Sequence, residues 1–511
     1  MSGWRFSAGD RHFKALYDGL MNGPLDSAFE VAEACLRYAT LCTDAGYVFD
    51  SARWRELDVV AQLQDHIGMD LGAPIHPDKL KAIAKTIKES KEPPLAAWCT
   101  AMLISIACSQ NFSPDSGTPS EYELQDLQAF PIPAKGCNTL YGGATTGLST
   151  QPGPDRSQND PSAVSGLALW LKSRTRPYKV VIDRVGGDQL NACLDENNTL
   201  KIALIQPNKY LLDFCVATLS SASDPNPRFF GLQPRNEQAQ TSIAVNGLKA
   251  AAKAGAGIAM LPELTMTEST VNQIGTDLAT PGKIIPQNAD HRTLRMVVSG
   301  SFHHTDCHGA QRNSARAHFP RHPDPSTYQQ HSKSGVFYHK IARLFLEMMS
   351  RDQKVADTAL KAWQANPVAT LTEVKFQEDI EYSYEIRLFI GSKFSAVVVI
   401  CADVLSETFR NVLKEICPSL VLVCNMTGKL RDFENAAGEL ILACQATLVS
   451  VNNPGEWFGK AVPGVLVAMP LGDGVSAVRK RNFKNAQQII IFDFGRATKD
   501  RPAPKFIKRS T

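Results

Sequence analysis

An α/β layered domain behind a helical segment is the fold class that this 511-residue sequence predicts. Three observations predict it. From about residue 199 the hydrophobic pattern alternates strand, helix, strand. Several of those strands are continuous apolar runs, which requires both sheet faces to be covered. Before residue 110, apolar residues instead recur every three or four positions, the period of a helix.

The N-terminal part divides into helices by that spacing. Phe29, Ala32, Leu36 and Ala39 share one face; so do Trp54, Leu57, Val60, Leu63 and Ile67, and then Leu80, Ile83 and Ile87. Ser27 and Ser51 stand at N-cap positions, and Gly23-Pro24, Gly72-Ala73-Pro74 and Pro93-Pro94 separate the segments. Leu95 to Cys108 is the longest largely apolar run, but as a helix it rises only about 21 Å against a hydrocarbon core of ~30 Å. It predicts a buried helix and no membrane association.

Residues 111–198 are expected to form a Gly/Pro/Ser-rich linker with short connecting elements. Stretches such as Ser113–Gly117 and Thr150–Pro154 bury too little apolar surface to offset ordering. Strands follow at Lys201–Ile205, Gly257–Leu261, Leu294–Ser301, Val336–His339, Tyr384–Ile390, Ala396–Cys401, Ser419–Cys424, Ala446–Val451, Val465–Met469 and Gln488–Phe492. Helices are predicted near 243–251, 406–416 and 431–445. The basic run Lys505–Arg509 predicts a solvated tail over 496–511.

Composition narrows the function. Lys and Arg number 54 against 51 Asp and Glu, a net charge of +3 without the clustered basic footprint of a nucleic-acid binder. The 12 cysteines include no C-x-x-C pair, so a zinc ribbon is not expected. Met1–Phe6 lacks the basic-then-apolar pattern of an export signal, which predicts reduced thiols in a cytoplasmic compartment. Most of the histidines lie between His291 and His339; His303, His304 and His308 have the chemistry of a transition-metal site, against the plainer reading of an exposed hairpin.

Three strand ends carry reactive groups. Met260-Leu261-Pro262-Glu263 ends in a carboxylate, Phe337-Tyr338-His339-Lys340 in an ammonium, and Val399-Ile400-Cys401-Ala402-Asp403 in a thiol ahead of a helix. A helix N-terminus favours thiolate. A nearby carboxylate can take the thiol proton, and a lysine can stabilise an oxyanion. Together these are the parts of thiol-based acyl transfer at a carbon–nitrogen bond.

Over residues 199–495 the sequence resembles the nitrilase, or carbon–nitrogen hydrolase, superfamily. The resemblance rests on Lys201–Gln206, Ala256–Leu264, Val297–Ser301, Arg312–Ala315, Tyr338–Lys340, Val399–Asp403, Leu420–Asn425, Val451–Gly455 and Pro470–Gly472, in the family's order. It implies a four-layer αββα sandwich and a catalytic Glu263, Lys340 and Cys401, with the backbone N–H of Ala402 as a second oxyanion donor. It further implies a small-molecule amide or nitrile substrate, amides being the commoner, a homo-oligomer, and no metal or organic cofactor. Glu347 is the nearest candidate for the second glutamate found in many members, with Glu381 and Glu385 as alternatives.

Several features depart from the family. Ala402 stands where an aromatic residue is common, which opens the pocket beside Cys401. Phe458–Ala461 replaces the family's Gly-x-Ser. Met348–Ala369 extends the interval between lysine and cysteine and predicts a lid or oligomer contact. Gly186-Gly187-Asp188 is not the Ser-Gly-Gly-x-Asp loop of an attached synthetase domain. These departures support an alternative: a ligand-sensing or regulatory nitrilase-like domain in a multi-protein assembly, of a bacterial defence or signalling kind, with the N-terminal helical domain docking a protein partner.

Overall fold

The computed structural model describes residues 11–44 (without 24 and 26), 62–63, 75–108, 120–131, 167–170, 178–194, 199–210, 213–219, 229–305, 311–322, 328–332, 338–339, 376–378, 383–391, 393, 395–444, 446–457, 460–470, 476–483, 489–494 and 505–507. Its N-terminal part is helical: α1 (Arg11–Asn22), α2 (Ala28–Asp44), α3 (Pro77–Glu89) and α4 (Pro93–Cys108). Ser27 caps α2 reciprocally. Its hydroxyl accepts from the Glu30 N–H at 3.2 Å, and its own N–H donates to the Glu30 carboxylate at 3.3 Å. The four helices close a core of their own from Leu16, Leu20, Val31, Cys35, Ile83, Ile87 and Ile104. Among the described residues no helix is long and apolar enough to cross a membrane. Ser51, Trp54, Leu57, Val60 and Ile67 lie outside the described residues.

Two large sheets follow. The first runs in the order β1 (Glu121–Glu123), β4 (Lys179–Asp183), β14 (Glu385–Ile390), β15 (Ser395–Ile400), β16 (Leu420–Asn425), β17 (Thr447–Asn452), β20 (Val465–Pro470) and β21 (Ser476–Arg481). The second runs β11 (Tyr328–Ser332), β10 (Gln311–His318), β9 (Met296–Thr305), β8 (Ile258–Met260), β5 (Lys201–Ile205), β22 (Ile489–Asp493) and β23 (Lys505–Ile507). A smaller sheet joins β12 (Tyr338–His339), β13 (Phe376–Glu378), β7 (Phe229–Pro234) and β6 (Phe214–Leu219). Two-stranded pieces are β2 (Ala129–Pro131) with β3 (Leu167–Leu169), and β18 (Glu456–Trp457) with β19 (Lys460–Ala461).

Side-chain alternation fixes the layers. In β5, Ile202 and Leu204 join the central core with Val397, Val399, Leu422 and Val449 of the first sheet. Ala203 and Ile205 point the other way, onto Ala244, Leu248 and Ala251 of α6 (Glu237–Lys253) and Val271 and Ile274 of α7 (Glu268–Ala279). The outer face of the first sheet is covered by α8 (Glu407–Ile416) and α9 (Arg431–Cys444), through Phe409, Leu413, Phe433 and Leu440. The result is a four-layer αββα sandwich behind a helical N-terminal part.

Two segments do more than expected. The stretch read as a linker supplies β1 and β4 to the first sheet and α5 (Arg184–Asn191) to its edge. Val180, Val181 and Ile182 are buried there because β4 pairs in parallel with β14, a partner about 200 residues downstream in sequence. The basic tail also pairs: Lys505–Ile507 adds an edge strand antiparallel to β22.

Candidate active site

The site gathers where parallel strands of both sheets end. β15 delivers Cys401, which is 2% exposed and opens a 3-10 turn, Cys401–Leu405. Its φ of 44° lies in the left-handed region, where a side chain with a Cβ is strained. Such strain is held only where the surroundings over-determine it, and Cys401 to Val404 are all buried. The turn runs into α8, whose N-cap Ser406 accepts from the Phe409 N–H at 3.4 Å. Ala402 occupies the turn's first residue after the thiol, where backbone N–H groups have no partner within the turn.

Glu263 follows β8 and is 3% exposed. A buried carboxylate needs hydrogen-bond donors, and Asn313 of β10 provides one: its Nδ2 donates to Oε1 at 3.1 Å. Leu264, the next residue, is also left-handed at φ 55°, and its N–H donates to the Ser301 hydroxyl at 3.3 Å. Gly300 of β9 passes beneath at φ 77°; a Cβ there would collide with the Pro262 carbonyl oxygen. The loop carrying Glu263 therefore requires glycine at this crossing.

Both groups converge on the end of β16. The Glu263 N–H donates to the Asn425 carbonyl at 3.4 Å, and the Cys401 Sγ donates to the Met426 carbonyl at 3.8 Å. Asn425 and Met426 are consecutive, so the Glu263 backbone and the Cys401 thiol meet at one peptide step from opposite sheets. β17 closes the rim: the Asn453 N–H donates to the Asn425 carbonyl at 3.0 Å, and its Nδ2 to the Glu263 carbonyl at 3.5 Å. Cys424, one residue before Asn425, is a second thiol here. Burial pushes its pKa up, and the negative charge of Glu263 pushes it further, so it stays protonated.

The structure thus brings Glu263, Cys401 and Ala402 to one end of the sandwich. Lys340 and Glu347 lie outside the described residues; the strand leading to Lys340, Tyr338–His339, pairs with β13. Glu385 begins β14 on the exposed flank beside Arg387, and Glu381 lies outside the described residues. The stretch 348–369 lies outside as well. His303 and His304 are tied into the hairpin: the Leu232 N–H donates to His303 Nδ1 at 2.9 Å, and His304 Nε2 lies 2.8 Å from the Ser314 hydroxyl. Asn313, Asn425 and Asn453 fell within resembling segments, but their service to Glu263 needed the fold. For Asn425 and Asn453 the signal was an asparagine breaking off an apolar strand; Asn313, within the polar strand Gln311–His318, gave none.

No protein-family profile matches the chain, and no curated protein does. Solved structures are similar at low identity. A glutamine-dependent NAD+ synthetase from Acinetobacter baumannii matches at 15% identity and TM-score 0.37, over 60% of this chain and 48% of that one. The chain therefore spans about half the synthetase's length. An amidase from Nesterenkonia sp. matches at 12% identity and TM-score 0.35, over 57% and 89%. A branch-10 nitrilase-superfamily member from Saccharomyces cerevisiae matches at 11% identity and TM-score 0.34, over 58% and 90%. These TM-scores all lie below 0.5, so the site stands on its own geometry. In sequence motifs and strand-end residues alike, the superfamily to which this chain is similar is that of the nitrilases.

Proposed function

We propose that the chain hydrolyses a non-peptide carbon–nitrogen bond, an amide in preference to a nitrile, through a thioester on Cys401. The supporting observation is the meeting of Cys401 Sγ and the Glu263 backbone on the consecutive residues Asn425 and Met426. In this reading Glu263 takes the thiol proton as sulfur forms its bond to the carbonyl carbon. The electron pair of the C=O bond moves to oxygen, where the Ala402 N–H and the ammonium of Lys340 receive it. Collapse of that intermediate breaks the C–N bond, and Glu263 passes its proton to the departing nitrogen. Glu263 then takes a proton from water, whose oxygen attacks the thioester; the acid leaves, and the thiol is restored. Asn313 holds the carboxylate in place by its 3.1 Å hydrogen bond.

The test is a panel of amides with ammonia or amine release as readout. Wild type is expected to turn over at least one member and Cys401→Ala none. Equal turnover by both proteins would remove the proposal.

A further inference from the structure

Beyond β5 the chain continues as Gln206-Pro207-Asn208, and Asn208 has no place in the chemistry above. It is 0% exposed, and among the described residues neither its Oδ1 nor its Nδ2 has a hydrogen-bond partner. A buried amide with both ends unsatisfied destabilises the fold. It is retained where a ligand supplies the missing partners.

Its surroundings set it at the rim of the site. β5 and β8 end side by side, with Leu204 paired to Met260, so Gln206–Asn208 and the loop carrying Glu263 leave adjacent strand ends. On the other flank Gln206 Nε2 donates to the Asn452 carbonyl at 2.6 Å, and the Glu456 N–H donates to the Lys209 carbonyl at 2.8 Å. Residues 206–210 therefore run alongside 452–456. Within that second segment Asn453 commits its Nδ2 to the Glu263 carbonyl, which fixes the amide's orientation and leaves Oδ1 as an acceptor. That Oδ1 is also buried and without a partner among the described residues.

We propose that Asn208 is a specificity residue that reads a second carboxamide or ureido group in the acyl part of the substrate. Its side chain offers one acceptor and one donor side by side, the complement of a carboxamide edge. The Asn453 Oδ1 takes a further N–H of the same group. The substrate class is then a diamide or ureido-amide rather than a plain aliphatic amide. What happens to the bound molecule rests on the hydrolase reading; the recognition does not.

The test is calorimetric binding to Cys401→Ala, with succinamide and glutaramide against the aliphatic amides in which isopropyl replaces the far carboxamide. Cys401→Ala is expected to favour the diamides by about tenfold or more, and adding Asn208→Leu should bring the ratio to about one. Equal binding of both series, or a preference that survives Asn208→Leu, overturns the proposal. A diamide preference that depends on Asn208, in a protein whose wild type hydrolyses nothing, would sink the hydrolase reading and leave this one standing. Hydrolysis without any preference does the reverse. The unliganded Asn208→Leu protein should melt no lower than wild type, because the amide it removes had no partner. If both Asn208→Leu and Asn208→Ala melt lower, the side chain supports the fold and the proposal falls.

Discussion

The N-terminal helices and the strand-end rim of the sandwich bury the same residue types to different ends. In the helical part, Cys35 and Cys99 sit among Val31, Ile83 and Ile104, and burial pushes both thiols up to about 12. At the rim, Cys401 is buried as deeply, but at a left-handed strand-to-helix turn, with its thiol on the Met426 carbonyl, one residue beyond the Asn425 that bonds the Glu263 backbone. Burial of a thiol is therefore no guide to its chemistry. The polar groups buried near it are: they cost free energy, and here they tie down the Glu263 carboxylate and its loop.

The largest expected difference lies between the two kinds of thiol. Cys401→Ala should lower amide turnover by about ten-thousandfold or more, whereas Cys35→Ala should leave it unchanged and lower the melting temperature instead. Comparable losses of turnover in both would end the distinction. Next comes the carboxylate: Glu263→Gln should cost about 10²–10⁴-fold in kcat. Asn313→Ala should lower kcat less and leave KM near the wild-type value, because the carboxylate loses the 3.1 Å hydrogen bond that orients it. An unaltered kcat would deny Asn313 its positioning role.

The helical part is expected to respond in stability alone. Ile83→Ala empties a fully buried position and should destabilise the helical part by about 2–5 kcal/mol, read by chemical denaturation, with kcat retained. A loss of kcat in the folded variant would couple the two regions.

The smallest effect sharpens the same contrast within the sandwich. His318 at the end of β10 is held at about 3, mainly by burial and then by the charge of Arg316. Its folded value lies below the ordinary 6.5, so the native state binds fewer protons across that window. The contribution to stability is complete above about 6.5 and is lost as pH falls toward about 3. At pH 5 the loss should be about 2 kcal/mol. His318→Gln should flatten that part of the pH–stability curve; an unchanged slope would assign the acid sensitivity elsewhere.

Much of this organisation was legible in the sequence, for a local reason. Glu263 and Cys401 each end a continuous apolar run, and such a break marks a strand end without any knowledge of partners. The spacing of Phe29, Ala32, Leu36 and Ala39 and the Ser27 cap were local in the same way. What stayed hidden depended on distant pairing. Lys179–Asp183 becomes a sheet strand only beside Glu385–Ile390, and Lys505–Ile507 only beside β22. Asn313 and Asn453 matter through hydrogen bonds to residues 50 and 190 positions away. Asn208 is conspicuous only because the fold leaves it unsatisfied.

The central claim is that carbon–nitrogen cleavage passes through a thioester on Cys401. Peptide mass spectrometry of the wild-type protein, quenched in acid during turnover of an amide, tests it most directly. The expected result is a mass increase equal to the acyl group on the peptide containing Cys401 and on no other cysteine peptide. An acyl group on another residue, or amide turnover that persists in Cys401→Ala, would contradict it.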